Sequence, residues 1–179
     1  MPTNEEILSA ARTAGFDHVG MLVPGDLAFL PEVREMCASG KCGKYGKCWT
    51  CPPGCGTLEA LREQASAFPR GVLLQSTGTL EDDFDVDTMM ETERIHKERF
   101  LRFVEWLRAN APRSMPMSAG ACTICKECTY PDAPCRFPDR AIPSMEACGL
   151  LVSDACTKAG LAYYYGPRTI TYSSCALFD

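Results

Sequence analysis

The downstream cysteines of this chain have the spacing of ligands to a metal cluster. Four thiols follow the pattern C-x2-C-x2-C-x6-C, at Cys122, Cys125, Cys128 and Cys135. Three thiols separated by two residues let one tight loop reach three corners of a cubane, and a fourth thiol from a proline-flanked turn closes the remaining corner. We therefore predict an iron-sulfur site in this downstream loop (residues 120–138).

Zinc and disulfides are the alternatives for the same thiols. Structural zinc sites are usually built from two pairs of ligands separated by a dozen or more residues, so three cysteines in this register are one too many for a half-site. Disulfides are typical of exported chains. The segment Met1–Glu6 has neither a basic region nor an apolar stretch, so we expect no export and reduced thiols.

The upstream loop (residues 37–56) carries five more of the 12 cysteines, namely Cys37, Cys42, Cys48, Cys51 and Cys55. Its five glycines allow positive φ and a close approach of backbone N–H groups to an anion. The neighbouring basic side chains could offset the negative charge of a thiolate-ligated cluster or simply be solvated; they are Arg34, Lys41, Lys44 and Lys47. Only Cys51 directly precedes a proline, so these five cysteines by themselves indicate a metal cluster less strongly than the downstream four.

Length and composition narrow the class of protein. The chain has 179 residues and is 46% hydrophobic, which is enough to bury a core. We expect a single iron-sulfur domain over residues 1–179, with 1–80 and 81–179 as possible lobes. A net charge of -5 argues against general nucleic-acid affinity. No apolar run approaches the length of a membrane span, so we expect no membrane association and a cytoplasmic location.

The elements that must position these loops alternate between helices and strands. Helices are predicted after Thr3, over 32–36, after Thr57, over 88–109 and over 150–159. Strands are predicted at 16–23, 72–74 and 115–119, with a hairpin formed by 161–165 and 169–175. We expect an α/β or α+β fold in which a mixed sheet is flanked by helices. Both cysteine loops should gather at one end of the sheet, because loops that follow strands emerge at the same edge.

Several motifs, in order, resemble a known family, the predicted metal-binding proteins called domain of unknown function 2284. The resemblance covers about Val33 to Val152 and rests on 45–53 (YGKCWTCPP), 56–59 (GTLE), the cysteine pattern from Gly120 to Cys128, 134–138 (PCRFP) and 144–149 (SMEACG). It implies metal binding of the iron-sulfur type, without a common reaction. The positions that match the family are Cys37, Cys42, Cys51, Cys122, Cys125, Cys128 and Cys135.

The number of ligands favours two 4Fe-4S clusters. Seven matched cysteines are one short of the eight required, and the candidates for the eighth are Cys48, Cys55, Cys148, Cys156 and Cys175. Cys148 and Cys156 lie eight residues apart in a predicted helix, about 12 Å along its axis, so we expect core thiols there. Cys135 could also cross over to the upstream cluster. His18 and His96 lack partners at ligand spacing and are expected to be structural or exposed.

Two functions remain open. The first is an electron carrier or redox adaptor that works with a redox partner protein. The second is an enzyme in which an open iron, held by Cys37, Cys42 and Cys51, binds a small sulfur- or oxygen-containing substrate. A zinc-binding structural protein is the third possibility. Trp49, Tyr45 and the tyrosines at 163–165 could line a small-molecule pocket.

Overall fold

Five α-helices and four β-strands make up the fold. The computed structural model describes residues 1–179. The helices are α1 (Asn4–Ala14), α2 (Pro31–Ala38), α3 (Leu58–Ser66), α4 (Val86–Asn110) and α5 (Val152–Lys158). The strands are β1 (His18–Leu22), β2 (Arg70–Thr79), β3 (Ser114–Met117) and β4 (Thr169–Phe178). The prediction of an α+β fold with a helix-flanked sheet is confirmed.

The four strands form one antiparallel sheet in the order β1-β2-β4-β3. The two ten-residue strands β2 and β4 pair along their whole length, from Arg70 opposite Phe178 to Thr79 opposite Thr169. The predicted mixed sheet is antiparallel throughout, so the argument that loops following parallel strands leave at the same edge does not apply. In the structure the upstream loop follows a helix, α2, and the downstream loop follows the edge strand β3.

Alternate residues of the central strands point into two separate cores. Val72 and Leu74 face a core built with α1 and α4, which includes Phe100 and Phe103. Leu73 faces a second core on the opposite side of the sheet, together with residues of α3, α5 and the segment before α5. Because both faces are covered, residues 71–76 are all buried. A continuous apolar run in β2 is the expected sequence signature of such a strand.

Local signals placed the first helix correctly. Thr3 caps α1 through a capping box with Glu6, and Gly15 ends the helix at φ +100°. Helix α3 begins after Thr57, whose hydroxyl accepts from Ala60 N–H at 3.2 Å.

None of the helices combines the length and the apolar composition that a membrane crossing requires.

Two predictions near the C-terminus were wrong. Residues 161–165 form no strand, and β4 pairs with β2 and β3 instead of a local hairpin partner. Helix α5 begins at Val152, so Cys148 lies in the turn before it and the helical separation from Cys156 does not apply. Long-range pairing of β4 with the buried strand β2 outweighed the local turn signal between residues 165 and 169.

His96 joins helix α4 to both central strands. Its ring is fully buried, with Nδ1 3.0 Å from the hydroxyl of Ser76 on β2 and Nε2 2.7 Å from the hydroxyl of Ser174 on β4. Burial is the main reason that its pKa falls to about 3, and the positive charges of Arg99 and Lys97 lower it further. The histidine is therefore a neutral structural group, as a buried ring held by two hydroxyls should be.

His96 should make the protein less stable at acidic pH. The unfolded chain takes up a proton near pH 6.5 and the folded chain only near pH 3, so this stability is present above pH 6.5 and is lost as the pH falls. By pH 5 the loss is about 2 kcal/mol. Urea unfolding of the anaerobic protein at pH 7.5 and pH 5 measures it. In His96→Gln the decrease between the two pH values should be about 2 kcal/mol smaller; an equal decrease would show that another group is responsible.

Candidate metal centre

Bridges of extended backbone anchor the two cysteine loops to the same part of the fold. Ser118, just after β3, pairs with Ser144 and so closes the base of the downstream loop. Phe29, just before α2, pairs with Leu150, just before α5. At Gly149 (φ +92°) an added Cβ would lie 2.3 Å from the Leu58 side chain, so glycine permits this close approach. The upstream loop therefore starts beside the segment that leaves the downstream loop.

Five thiols line one small space in the downstream site. Four belong to the downstream loop and the fifth comes from the upstream loop; they are Cys122, Cys125, Cys128, Cys135 and Cys48. No carboxylate and no histidine lines this space. The structure thus brings together the four thiols of the C-x2-C-x2-C-x6-C pattern. It also adds Cys48, which its position in the sequence had grouped with the upstream thiols.

Three upstream thiols line a second, larger cleft. Cys37, Cys42 and Cys51 share this mostly apolar cleft with Lys41 and Tyr45. The fifth upstream cysteine, Cys55, does not line the cleft. Its thiol donates to the carbonyl of Ala147 at 3.5 Å, while the Cys37 thiol donates to the adjacent carbonyl of Glu146 at 3.9 Å. Cys37 and Cys55 therefore meet the same turn of the chain.

The two loops are interlocked through Trp49. Its indole Nε1–H donates to the carbonyl of Ala133 at 3.1 Å, and its ring meets Tyr130 edge to face with centroids 4.9 Å apart. At Gly54 an added Cβ would lie 2.9 Å from the Tyr130 ring, so only glycine fits without displacing the tyrosine. The aromatic residues of the predicted small-molecule pocket do not share one space: Trp49 lines the downstream space, Tyr45 lines the upstream cleft, and the tyrosines at 163–165 line neither.

Burial raises the pKa of four of the nine thiols in the two loops. It raises the pKa of Cys51 to about 12, with repulsion from Cys48 adding to the effect, and it also raises the pKa of Cys37 and Cys122. Cys128 is the exception: burial raises its pKa, but hydrogen bonds from the backbone of Tyr130, Trp49 and Thr129 and from the Cys48 thiol outweigh this, so that its pKa is lowered. A bound cation would supply the positive charge that the other thiols need to ionise.

The thiols fit a metal group by their chemistry rather than by a preformed cage. No three or more His, Cys, Asp or Glu side chains are arranged to hold a single metal ion. The lining of the downstream space offers five thiols but no carboxylate or imidazole, which suits zinc or iron-sulfur clusters and not hard cations such as calcium or magnesium. One guanidinium nitrogen of Arg34, beside the upstream thiols, is buried without an acceptor, as expected next to an anionic group.

The remaining cysteines belong to the core. Cys148, Cys156 and Cys175 are fully buried among apolar side chains between the sheet and α5. Burial raises the pKa of all three. Cys156 also accepts a hydrogen bond from the Gln75 amide at 3.3 Å. None of them lines either cysteine-rich site.

Comparison with known proteins gives the family. A family model described as predicted metal-binding protein (DUF2284) matches residues 20–178. The chain therefore belongs to this family, and metal binding is the property that membership supports. Searches of curated proteins and of solved structures gave no match.

Trp49→Phe should loosen the contact between the two loops. Phenylalanine keeps a ring against Tyr130 but removes the hydrogen bond to Ala133, which should lower the free energy of unfolding by about 1 kcal/mol. Hydrogen exchange should become faster at residues 129–135. The same substitution at Trp106, which packs on the core of α1 and α4, should leave exchange in this segment unchanged. Equal exchange in both variants would contradict the interlock.

Proposed function

We propose that the protein binds two 4Fe-4S clusters, one in each cysteine-rich site, and acts as an electron carrier in the cytoplasm. The observation that carries the proposal is the downstream space, which five thiols line and no other ligand group enters. Four of these thiols have the spacing with which one loop surrounds a cubane. When bound, such a cluster accepts and releases one electron at a time.

The number and spacing of the thiols favour clusters over zinc. A structural zinc ion takes four ligands, whereas nine cysteines lie in the two loops. Three thiols separated by two residues each are also one more than the pair from which a zinc half-site is built. Zinc is the alternative that metal analysis must exclude.

The contact between the sites suits electron transfer. Cys48 lines the downstream space while Cys51, three residues on, lines the upstream cleft. Trp49 and Thr50, which lie between them, also line the downstream space. A short stretch of protein therefore separates the two sites, and the interlock of the loops keeps that separation constant. Ile124 and Phe137 add apolar walls to the downstream space, which limits the access of water.

The upstream loop offers a basic surface to a redox partner. Lys41, Lys44 and Lys47 are exposed and form no salt bridge, and no Asp or Glu occurs between positions 36 and 58. Each lysine follows a glycine with φ between +66° and +77°, so the loop turns at each repeat and carries the lysines outward. On a chain of net charge -5, this local charge would attract an acidic partner protein.

Metal analysis tests the proposed cofactor. Anaerobically purified protein should be brown and contain about eight iron and eight acid-labile sulfide per chain, because each cubane holds four of both. Electron paramagnetic resonance of the dithionite-reduced protein should show the signals of reduced clusters. A colourless protein with stoichiometric zinc would refute the proposal.

Substitution of single thiols tests the placement. Cys125→Ser should remove about half of the iron and lower the free energy of unfolding, because cluster binding contributes to folding. The matched control is Cys156→Ser, a substitution of a core thiol that lines neither site, and it should leave the iron content unchanged. Full iron in both variants would contradict the assignment of the downstream loop.

Reversal of the lysine charges tests the docking surface. With a reduced, small acidic ferredoxin as the probe, Lys41→Glu, Lys44→Glu and Lys47→Glu together should slow electron transfer at low salt by about tenfold or more. The difference should disappear near 1 M salt. A control with the same charge change uses the exposed Arg12, Arg62 and Lys158. Equal rates for the two triple variants would place the docking surface elsewhere.

A further inference from the structure

Arg34 is a half-buried cation whose guanidinium lacks a full set of partners. Its Nη2 donates to the carbonyl of Gly56 at 2.8 Å, but Nη1 is buried and has no acceptor. Arg34 also forms no salt bridge. An unsatisfied buried donor costs about 1–3 kcal/mol, and more on a charged group. Since native proteins satisfy nearly all such donors, an anionic acceptor beside Arg34 is expected.

The positive charge of Arg34 acts on three nearby thiols. Burial raises the pKa of Cys55, and the positive charge of Arg34 is the main opposing influence. Arg34 also lowers the pKa of Cys37 and of Cys148, but the increase caused by burial is larger in both. Of the three thiols, Cys148 is fully buried in the core, which leaves Cys37 and Cys55 as the groups that could carry an anion into this position.

The backbone places Cys37 and Cys55 beside each other. Arg34 and Cys37 are three residues apart on α2 and so share one face of the helix. From that face Arg34 reaches the carbonyl of Gly56, directly after Cys55. The two thiols then contact the consecutive carbonyls of Glu146 and Ala147. Arg34 thereby connects the first and last cysteines of the upstream loop.

Cys48 is the other candidate for the missing ligand. It lines the downstream space with four other thiols, and its thiol lies 3.2 Å from the hydroxyl of Thr50, which lines the same space. Five thiols thus surround the downstream site, whereas the upstream cleft has three. A fourth ligand of the upstream site must therefore come from a thiol that does not line the cleft in this structure.

We propose that Cys55, and not Cys48, is the fourth thiolate ligand of the upstream cluster, and that Arg34 is the positioning residue that orients this thiolate and offsets the cluster's negative charge. The inference rests on the proposed function, because it requires a cluster in the upstream site. Four thiolates leave no open iron there. The upstream site then belongs to an electron carrier and not to an enzyme that binds substrate at iron.

The ligand assignment is tested in the Cys125→Ser background, where only upstream iron, about four per chain, should remain. Adding Cys55→Ser should remove most of that iron. Adding Cys48→Ser should leave it in place, because Cys48 lines the other site. Loss of this iron with Cys48→Ser and its retention with Cys55→Ser would overturn the inference while leaving the proposed function intact. Absence of iron from the parent protein would refute both.

The role of Arg34 is tested by redox titration, which does not depend on the cysteine variants. Removal of a positive charge disfavours the reduced, more negative cluster. Arg34→Gln should therefore shift the reduction equilibrium of one of the two clusters toward the oxidised form by about tenfold, about 59 mV for one electron. The other cluster should keep its potential. Arg34→Lys should restore most of the shift, because it keeps the charge.

The matched control is Arg62→Gln, on an exposed arginine of α3 without hydrogen-bond partners in the protein. It should leave both potentials unchanged. Equal potentials in Arg34→Gln and the parent protein would show that Arg34 does not face a cluster and would overturn its assigned role. A shift of both clusters by the same amount would do the same, because it would indicate a general charge effect.

Discussion

The pairing of β2 with β4 is the interaction on which the rest of the structure depends. Its ten-residue register joins a strand from the first half of the chain to the last strand, and it separates the two hydrophobic cores. The edge strand β3, which leads into the downstream loop, pairs only with β4. Because β4 is the final element, the strand that leads into this cysteine loop finds its place only when the C-terminal strand has joined the sheet.

A second constraint is the electrostatic cost of burying thiols. Of the nine cysteines in the two loops, Cys37 lies in α2 and the other eight lie outside helices and strands. Burial raises the pKa of four of the nine. Such thiols become anionic ligands only if positive charge is close to them. The structure supplies it in two ways: the guanidinium of Arg34 stands beside the upstream thiols, and backbone N–H groups surround Cys128. A bound metal would contribute the rest.

The elements were predictable where the signal is local. The capping box of Thr3 and Glu6, the cap of Thr57 and the buried run in β2 depend on residues within a few positions of each other, and each is found in the structure. The hairpin predicted between 161–165 and 169–175 is not formed, because the residues that decide the pairing of β4 lie 90 to 108 positions earlier, in β2. The antiparallel order of the sheet was missed for the same reason.

For the candidate site, the sequence by itself determined the chemistry: sulfur ligands in two groups, and a loop whose four thiols can surround one space. The tertiary structure decided which thiol faces which site. Spacing grouped Cys48 with Cys51, yet the contacts of Trp49 with the downstream loop carry Cys48 into the other site. Likewise, the sequence presents Arg34 as one of four basic residues, and only the structure, in which one of its guanidinium nitrogens is buried, distinguishes it from the three exposed lysines. Residue type and spacing establish which ligand groups a loop contains. The site that each side chain faces depends on long-range packing, which no local pattern encodes.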